Sequence, residues 1–464
     1  MYFRLTDHYA LRSWSGVICA YYEKNVSHAK PLTRRQADIL IQCDGEHDIE
    51  INDTVLSLVD KGMIVSCRKG EHPSEWSSYK KYDNRYFPKM NLMITGKCNY
   101  NCIHCFNAVD NAPLMTEWSY EELCDLLDQA RDCGIQAFTV TGGEPMVHPH
   151  FMDILRGIHE RGMFVENLIT NGSCITQDLL DEIKSFGCNP VFKISFDGVG
   201  YHDWMRGKTG AEEKTLRILR LCKENGFKII THTQVNKKNR SCLMQTARLL
   251  DAIGIDETRF LRTTEVPRWF ENAGDAGLNV NEYFETMLDF AKEYITSGMK
   301  MNIECWQYLL LFPKRQSFSI VPAGFPAERY RDSVLVCGRV REYVSITSSG
   351  EVVPCNQASG LLAKNEMSYG NLHRENLKDI LSSGRYIDQV CMTVGDVRKN
   401  NSKCDSCKWI RQCGGGCRMA ALLFSREKKD IYAPDPTKCM FFENGWYEKT
   451  TAALSTWKNQ TPVE

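Results

Sequence analysis

The 464-residue chain carries 57 Lys and Arg against 58 Asp and Glu, a formal net charge of −1, with 43% hydrophobic and 25% charged residues. That balance belongs to an ordinary globular protein of about two to four domains, and it excludes a strong field for nucleic acid or an acidic membrane. The first residues, MYFRLTDHYALRSW, have neither the basic start nor the apolar run of a signal peptide, and no uncharged apolar stretch reaches spanning length, so a cytoplasmic protein is expected.

In chain order, alternating runs predict short strands at residues 2–5, 9–14 and 17–22. Thr33-Arg34-Arg35-Gln36 has the form of a capping box and opens a helix whose Ala37, Leu40 and Ile41 repeat at helical spacing. Asn52 is placed to cap a second helix over Val55, Leu56, Leu58 and Val59, ended by Gly62, and residues 63–65 read as a closing strand. Residues 1–68 are thus expected to form a small winged-helix-like α+β unit. Residues 69–90 are polar and without period, which predicts a linker.

Between residues 91 and 304, strand-like segments at 92–95, 137–141, 164–169, 191–195, 229–234 and 259–261 alternate with helical patterns such as 120–131 and 214–224. This βα alternation implies a parallel sheet in an open or closed barrel, with chemistry at the C-terminal strand ends. Residues 264–280 show no usable period. A bridging region, 305–336, leads to residues 337–464, which have few long periodic runs, many cysteines and a need for metal to hold them together. There is no internal repeat of solenoid period and no low-complexity tract.

The 21 cysteines are too many for an ordinary cytosolic chain, and the chain is far longer than small disulfide scaffolds. Cys124, Cys133, Cys188, Cys222 and Cys242 lie in or beside apolar helical patterns and read as packed thiols. The remaining spacings point to metal. Directly after the first barrel strand, Cys98-x3-Cys102-x2-Cys105 puts three thiolates on a tight loop. Three can ligate three irons of a [4Fe–4S] cube and leave the fourth open, whereas a structural zinc site closes itself with four ligands. The spacing alone leaves zinc as the alternative. The second strand segment ends in Gly142-Gly143-Glu144-Pro145, where glycines admit close backbone approach and Glu144 with nearby carbonyls can accept from an ammonium. Thr170-Asn171-Gly172, Ile194-Ser195-Phe196-Asp197-Gly198 and His202-Asp203-x2-Arg206-Gly207 follow at later strand ends.

Cysteine spacing and loops in this order resemble the radical S-adenosylmethionine (SAM) superfamily over the whole central region. The resemblance implies an α/β fold, a partial (β/α)6 barrel, with Cys98, Cys102 and Cys105 holding a [4Fe–4S] cluster whose unique iron binds SAM through its amino and carboxylate groups. By the same resemblance Gly142, Gly143, Glu144 and Pro145 hold the methionine amino end, and Ser195 and Arg206 are partners of the carboxylate. It also implies reductive cleavage of SAM to a 5′-deoxyadenosyl radical that abstracts a substrate hydrogen, fed by an electron donor such as a flavodoxin or ferredoxin. His104 would pack or hydrogen-bond near the cluster.

Further on stand Cys337, Gly350-x4-Cys355, Cys404-x2-Cys407-x5-Cys413-x3-Cys417 and Cys439. This order and spacing resemble the seven-cysteine SPASM domain of peptide- and protein-modifying enzymes; a pair of zinc knuckles would rest on C-x2-C alone. The resemblance places Cys404, Cys407, Cys413 and Cys439 on an outer auxiliary cluster and Cys337, Cys355 and Cys417 on an inner one, three [4Fe–4S] clusters in all. Position 343, where some members add a cysteine, is Tyr343, so the inner cluster has an open iron or borrows Cys391 or Cys305. An open iron could bind a substrate thiolate and would favour thioether formation. Where sulfatase-maturing relatives have an Asp base after the Gly-x4-Cys cysteine, this chain has Asn356, which cannot take that proton. Auxiliary clusters suit oxidative chemistry, because a substrate radical that forms a bond must lose an electron.

Residues 1–68 resemble, by order, size and position, the PqqD-like element that captures leader peptides. Such an element adds the leader as a strand at a sheet edge beside a helix and raises the effective concentration of the tethered core peptide. Arg34 and Arg35 lie on the first helix, yet no helix shows a basic stripe, so DNA binding is not expected. The expected function is maturation of a ribosomally made precursor peptide by an intramolecular carbon–carbon or thioether crosslink, with no nucleic-acid or membrane partner. Rival readings are maturation of a folded protein, peptide epimerisation and a cluster-bearing sensor. No catalytic base is singled out.

Overall fold

The computed structural model describes residues 1–105, 108–109, 112–113, 116–263, 267–324, 330–356, 362, 367–424 and 430–460. The front unit contains β1 (Tyr2–Leu5), β2 (Tyr9–Ser15), β3 (Val17–Glu23), β4 (Lys30–Pro31), α1 (Arg34–Gln42), β5 (Asp44–Asp48), α2 (Asp53–Asp60) and β6 (Ile64–Ser66). Thr33 and Gln36 close the capping box on α1, and the Asn52 side chain accepts from the Thr54 and Val55 amides to start α2. These strands fall into two sheets. β5-β1-β6 leaves β6 at an edge, and β4-β3-β2 continues into a further strand. Phe3, Leu5, Leu11, Leu40, Val55 and Leu58 form the core between sheet and helices.

That further strand, β7 (Lys80–Arg85), lies in the stretch expected to be a linker and pairs in parallel with β2, Arg12 opposite Lys80. The segment escaped detection because it is held by polar groups instead of an apolar face. Buried Arg12 donates to the Trp76 and Ser78 carbonyls at 2.6 and 2.8 Å, and buried Asn84 donates to the Cys133 carbonyl at 3.0 Å. Trp14 Nε1 donates to that same carbonyl, so the front unit docks on the barrel wall.

The barrel opens with β8 (Lys89–Thr95) and the short pair β9 (Ala108–Val109) and β10 (Ala112–Pro113). It continues through α3 (Tyr120–Asp132), β11 (Ala137–Gly142), α4 (Phe151–Glu160), β12 (Phe164–Thr170), α5 (Gln177–Ser185) and β13 (Val191–Ser195). Then come α6 (His202–Arg206), α7 (Ala211–Glu224), β14 (Ile229–Val235), α8 (Leu243–Ile253), β15 (Glu257–Arg262), α9 (Pro267–Ala273), α10 (Val280–Tyr294) and β16 (Asn302–Cys305). All six expected strands are present, each within about three residues of its expected bounds. One face of them packs Leu92, Ile94, Phe138, Val140, Leu168, Phe192 and Ile194 under the helices.

The sheet extends beyond the six. β17 (Leu309–Phe312), β18 (Ser317–Ile320), β19 (Tyr343–Ile346), β20 (Val352–Val353) and β21 (Lys458–Asn459) complete a twelve-stranded order, β20-β19-β8-β11-β12-β13-β14-β15-β16-β17-β18-β21. Strands from β19 to β16 run parallel, and β17 and β20 turn back antiparallel. The bridging region and the cysteine-rich region are therefore woven into the barrel sheet rather than appended to it. The added strands are two to four residues long, too short for period-2 alternation to register. Among the described residues no helix is long and apolar enough to cross a membrane.

Candidate active site

The loops after β8, β11, β12 and β13 meet at the C-terminal ends of the parallel strands. The Gly143 and Glu144 amides donate to the Thr95 and Lys97 carbonyls at 2.8 and 2.9 Å, which lays the Gly142-Gly143-Glu144-Pro145 turn on the root of the cysteine loop. A Cβ at Gly143 would stand 2.3 Å from the Lys97 carbonyl oxygen and 2.4 Å from that of Gly96, so only glycine admits this approach. Glu144 is fully buried. Its carboxylate accepts from Thr170 Oγ1 at 2.7 Å, the Asn171 amide at 2.7 Å and the Met146 amide at 3.3 Å. Burial pushes it up to about 7 against the pull of those donors. Oε2 has filled one of its two lone pairs and can accept once more.

Cys98, Cys102 and Cys105 stand together on their loop. The Cys98 thiol is pushed up to about 12 by burial, with Cys102, Glu144 and Cys105 adding to it. Burial and Cys105 also raise Cys102, against Arg206. Such crowded, mutually repelling thiols are costly to ionise together, and metal ligation removes that cost. Donors already face the sulfurs. The Tyr100 amide reaches Cys98 Sγ at 3.4 Å, Asn171 Nδ2 reaches it at 3.9 Å, and Arg206 Nη1 reaches Cys102 Sγ at 3.7 Å. Hydrogen bonds to cluster sulfurs set the reduction potential. His104 is buried, and burial with Arg206 beside it pushes its imidazole down to about 4, so it stays neutral.

Arg206 is held from behind. Its Nε stands 2.7 Å from Asp197 Oδ2, both side chains nearly fully buried. Burial alone would raise Asp197; Arg206, with His202 and His104 behind it, holds the carboxyl well below the usual range. The Asp197 amide donates to His202 Nδ1 at 3.0 Å, which assigns the other ring nitrogen as the proton carrier toward Thr215 Oγ1 at 3.2 Å. Of the residues expected around SAM, Gly142, Gly143, Glu144, Pro145 and Arg206 converge here. Ser195 ends β13, half-buried and opposite His232. Arg206 commits Nε and Nη1 to Asp197 and Cys102, a tie to the cluster loop that the sequence does not announce.

Below this end the inner face of the barrel is charged. Lys89 Nζ pairs with Glu166 Oε1 at 3.2 Å, which also accepts from Ser27 Oγ of the front unit at 2.6 Å. Arg259 bridges Glu257 and Glu304 at 2.8 and 2.9 Å. His232 Nε2 is buried without a hydrogen-bond partner, and Lys193 has neither ion pair nor hydrogen bond among the described residues. These were missed as site residues, although the signal existed. Parallel strands normally read as continuous apolar runs, whereas β13, β14 and β15 carry Lys193, His232, Glu257 and Arg259 on alternate positions.

Burial, then Arg259, pushes the Lys193 ammonium down to about 8. An unfolded lysine titrates near 10.4, so between these values the unfolded chain binds more protons and stability rises with pH. Below about pH 8 the fold carries a charge that costs it about 3 kcal/mol. Lys193→Met, which keeps the apolar stem, should raise the melting temperature at pH 7 by a few degrees, and this gain should vanish above pH 10.5. An equal or lower melting temperature at pH 7 would contradict the buried-ammonium account.

The second cysteine field gathers in two places. Cys413 feels Cys404, which feels Cys407, and Cys439 feels Cys413, so the four residues expected on the outer cluster are electrostatic neighbours. Cys417 feels Cys337, and Cys355 lies beside Tyr386. Gly414, Gly415 and Gly416, all at positive φ of 63, 84 and 80°, turn the chain between Cys413 and Cys417. Asp435 caps the helix bearing Cys439 and accepts from the Cys417 amide at 2.8 Å, linking both sets. Among the described residues no three His, Cys, Asp or Glu side chains converge tightly enough to hold a single ion. A cube instead spreads its ligands, one thiolate to each iron, and this donor set fits it.

Residues 92–250 match the Radical SAM superfamily, and residues 337–414 match the SPASM iron–sulfur cluster-binding domain. The PqqA peptide cyclase of Granulibacter bethesdensis is 24% identical over 354 residues, 75% of this chain and 87% of that protein. An AdoMet-dependent heme synthase of Methanosarcina barkeri is 23% identical over 331 residues, 71% of this chain and 90% of that one. The subtilosin biosynthesis protein AlbA of Bacillus subtilis is 24% identical over 331 residues, 71% of this chain and 66% of that one. Among solved structures, Streptococcus suis SuiB bound to its precursor peptide SuiA superposes with a TM-score of 0.66 at 16% identity, covering 94% of this chain and 99% of that one. The two matched domains imply SAM and [4Fe–4S] clusters, and the chain is an enzyme that carries a radical SAM domain followed by a SPASM domain.

Proposed function

We propose that the chain is a maturase of a ribosomally made precursor peptide, which it binds through a leader and joins internally by an oxidative crosslink. The observation that carries this reading is the surface of the front unit. Of the seven large hydrophobics exposed among the described residues, six (Met1, Val26, Ile51, Leu56, Val59 and Val65) lie there. Leu56 and Val59 project from α2, and Val65 lies on the edge strand β6. An unpaired strand edge beside an apolar helix face takes an extended peptide as an added strand. The relatives named for peptide cyclisation and subtilosin biosynthesis, and the likeness to a structure that holds a precursor peptide, support the same reading.

On this reading Cys98, Cys102 and Cys105 hold the SAM-binding cluster, and Gly142, Gly143, Glu144, Pro145, Ser195 and Arg206 hold SAM. Cys404, Cys407, Cys413 and Cys439, and Cys337, Cys355 and Cys417, hold the auxiliary clusters. When bound, these groups supply a 5′-deoxyadenosyl radical and one-electron acceptors. Glu144 offers its remaining acceptor site to the methionine amino group, and Arg206 keeps a fixed positive charge at the cysteine loop. The buried charged face from Glu166 to Glu304 would orient the core peptide and exclude bulk water. The balance for each crosslink is one C–H bond and one further C–H or S–H bond broken, and one C–C or C–S bond formed. One hydrogen atom leaves to the deoxyadenosyl carbon, followed by one proton and one electron.

The test is anaerobic incubation of reconstituted enzyme, SAM and reductant with the short peptide encoded beside its gene, read by mass spectrometry. Loss of two hydrogens with one 5′-deoxyadenosine is expected, and solvent deuterium uptake at unchanged mass would replace crosslinking with epimerisation. Leu56→Asp with Val59→Asp should weaken leader binding, read by fluorescence anisotropy, by about 10- to 100-fold, because the pair together removes apolar contact worth about 1.5–3 kcal/mol. Unchanged leader affinity would remove the front unit from recognition.

A further inference from the structure

We infer that Cys391 is the fourth ligand of the inner auxiliary cluster, closing it with Cys337, Cys355 and Cys417. This rests on the reading above that those three cysteines hold a cluster. Leu335 and Thr393 form an antiparallel bridge, flanked by Val336 N to Met392 O at 3.0 Å and Val394 N to Val334 O at 2.9 Å. The Val336–Met392 hydrogen bond brings together the residues that adjoin it, Cys337 on one segment and, on the other, Cys391 at the C-terminal cap of the helix Arg385–Val390. Cys355 reaches the same spot. The buried Tyr386 hydroxyl feels Cys355 and Cys391 alike, and Arg341 feels Cys391. Cys417 joins through Cys337.

A second observation marks the place as a binding site. Tyr386 Oη and Arg341 Nη1 are both buried without a hydrogen-bond partner among the described residues. Two orphaned donors side by side are costly unless something there accepts from them. Cluster sulfurs are such acceptors. Cys305, the other candidate, is packed on β16 with Glu304, Tyr283 and Tyr308 as its neighbours and faces none of the inner set. Four thiolates leave no open iron, so a substrate thiol does not ligate this cluster. That favours electron transfer over sulfur capture as its task.

The test uses full-length protein carrying Cys98→Ala, Cys102→Ala and Cys105→Ala, so that only auxiliary clusters remain, with and without Cys391→Ala. The parent should hold about eight irons per chain, and its electron paramagnetic resonance spectrum should not respond to cyanide. With Cys391→Ala, either the reduced spectrum should become cyanide-sensitive or one iron should be lost, leaving a three-iron signal on oxidation. Identical spectra and iron content in the two proteins would overturn the assignment, as would cyanide sensitivity in the parent or a Cys337–Cys391 disulfide found by peptide mapping. A parent with only about four irons would instead overturn the two-cluster reading on which this rests.

Discussion

Alanine at Cys98, Cys102 and Cys105 together is expected to reduce 5′-deoxyadenosine formation to background while the protein keeps its other iron. Iron content should fall from about twelve to about eight per chain, because each cube carries four irons. The selectivity has a structural reason. The cysteine loop is anchored independently of its sulfurs, by the Ile103 amide to the Met205 carbonyl at 3.1 Å and Arg268 Nε to the Cys102 carbonyl at 2.9 Å. Among the auxiliary cysteines, Cys404, Cys413 and Cys439 lie on separate short helices and Cys417 is tied to Asp435. The measurement is anaerobic chromatography of SAM products beside iron analysis. SAM cleavage at wild-type rate would remove the cluster from this loop, and loss of all iron would mean that the three sites assemble together.

Much of this site was legible because each loop that builds it leaves a compositional mark. Three closely spaced cysteines, paired glycines before Glu144 and the Cys404-x2-Cys407 pair cannot be replaced without changing the chemistry. The six central strands were legible for a related reason: they are buried on their helix-facing side by Leu, Ile, Val and Phe at alternate positions, with Thr231, Thr233 and Thr258 taking such positions on β14 and β15. What escaped is held by contacts distant in sequence. β7 is secured by Arg12 and Asn84, residues that read as surface until their carbonyl partners at Trp76, Ser78 and Cys133 are known. β19 joins β8 across about 250 residues, which no local pattern encodes. Cys391 lies between the two cases: the sequence offers it beside Cys305 without a spacing to choose between them, and the pairing of Leu335 with Thr393 is what sets it apart.

The docking of the front unit changes how its role should be probed. Removing residues 1–68 would leave β7 without β2, expose the Cys133 carbonyl bonded by Trp14, and strip Ser27 from Glu166. A truncated chain could then fail for reasons unrelated to peptide capture. Point changes on the exposed faces of α2 and β6 leave those contacts intact, which is why the leader test is built on Leu56 and Val59.

Asp197→Asn is expected to destabilise the protein by about 3–5 kcal/mol, the cost of leaving one member of a buried ion pair unpartnered. The substitution keeps size, and its amide oxygen can still accept from the Gln234 amide, as Asp197 Oδ1 does at 2.9 Å. What it removes is the charge at Arg206. An Asn Nδ2 in place of Oδ2 would set a second donor against the Arg206 Nε, 2.7 Å away, in a site with almost no solvent. The guanidinium would then have only Cys102 as an anionic neighbour, so the first cluster should shift in potential as well as the fold in stability. The acid side of the stability profile carries the sign. Asp197 is held below its unfolded value, so its contribution is complete above about pH 4 and is lost as pH falls toward the native value. Wild type should lose this increment in acid, and Asp197→Asn should show a correspondingly flatter profile. Replacing the pair together, Asp197→Leu with Arg206→Met, should recover most of the stability but not SAM binding, since the cation is gone. If Asp197→Asn melts like wild type at pH 7, Arg206 does not depend on Asp197 for its charge balance. The link from β13 through Arg206 to the cysteine loop would then be packing alone.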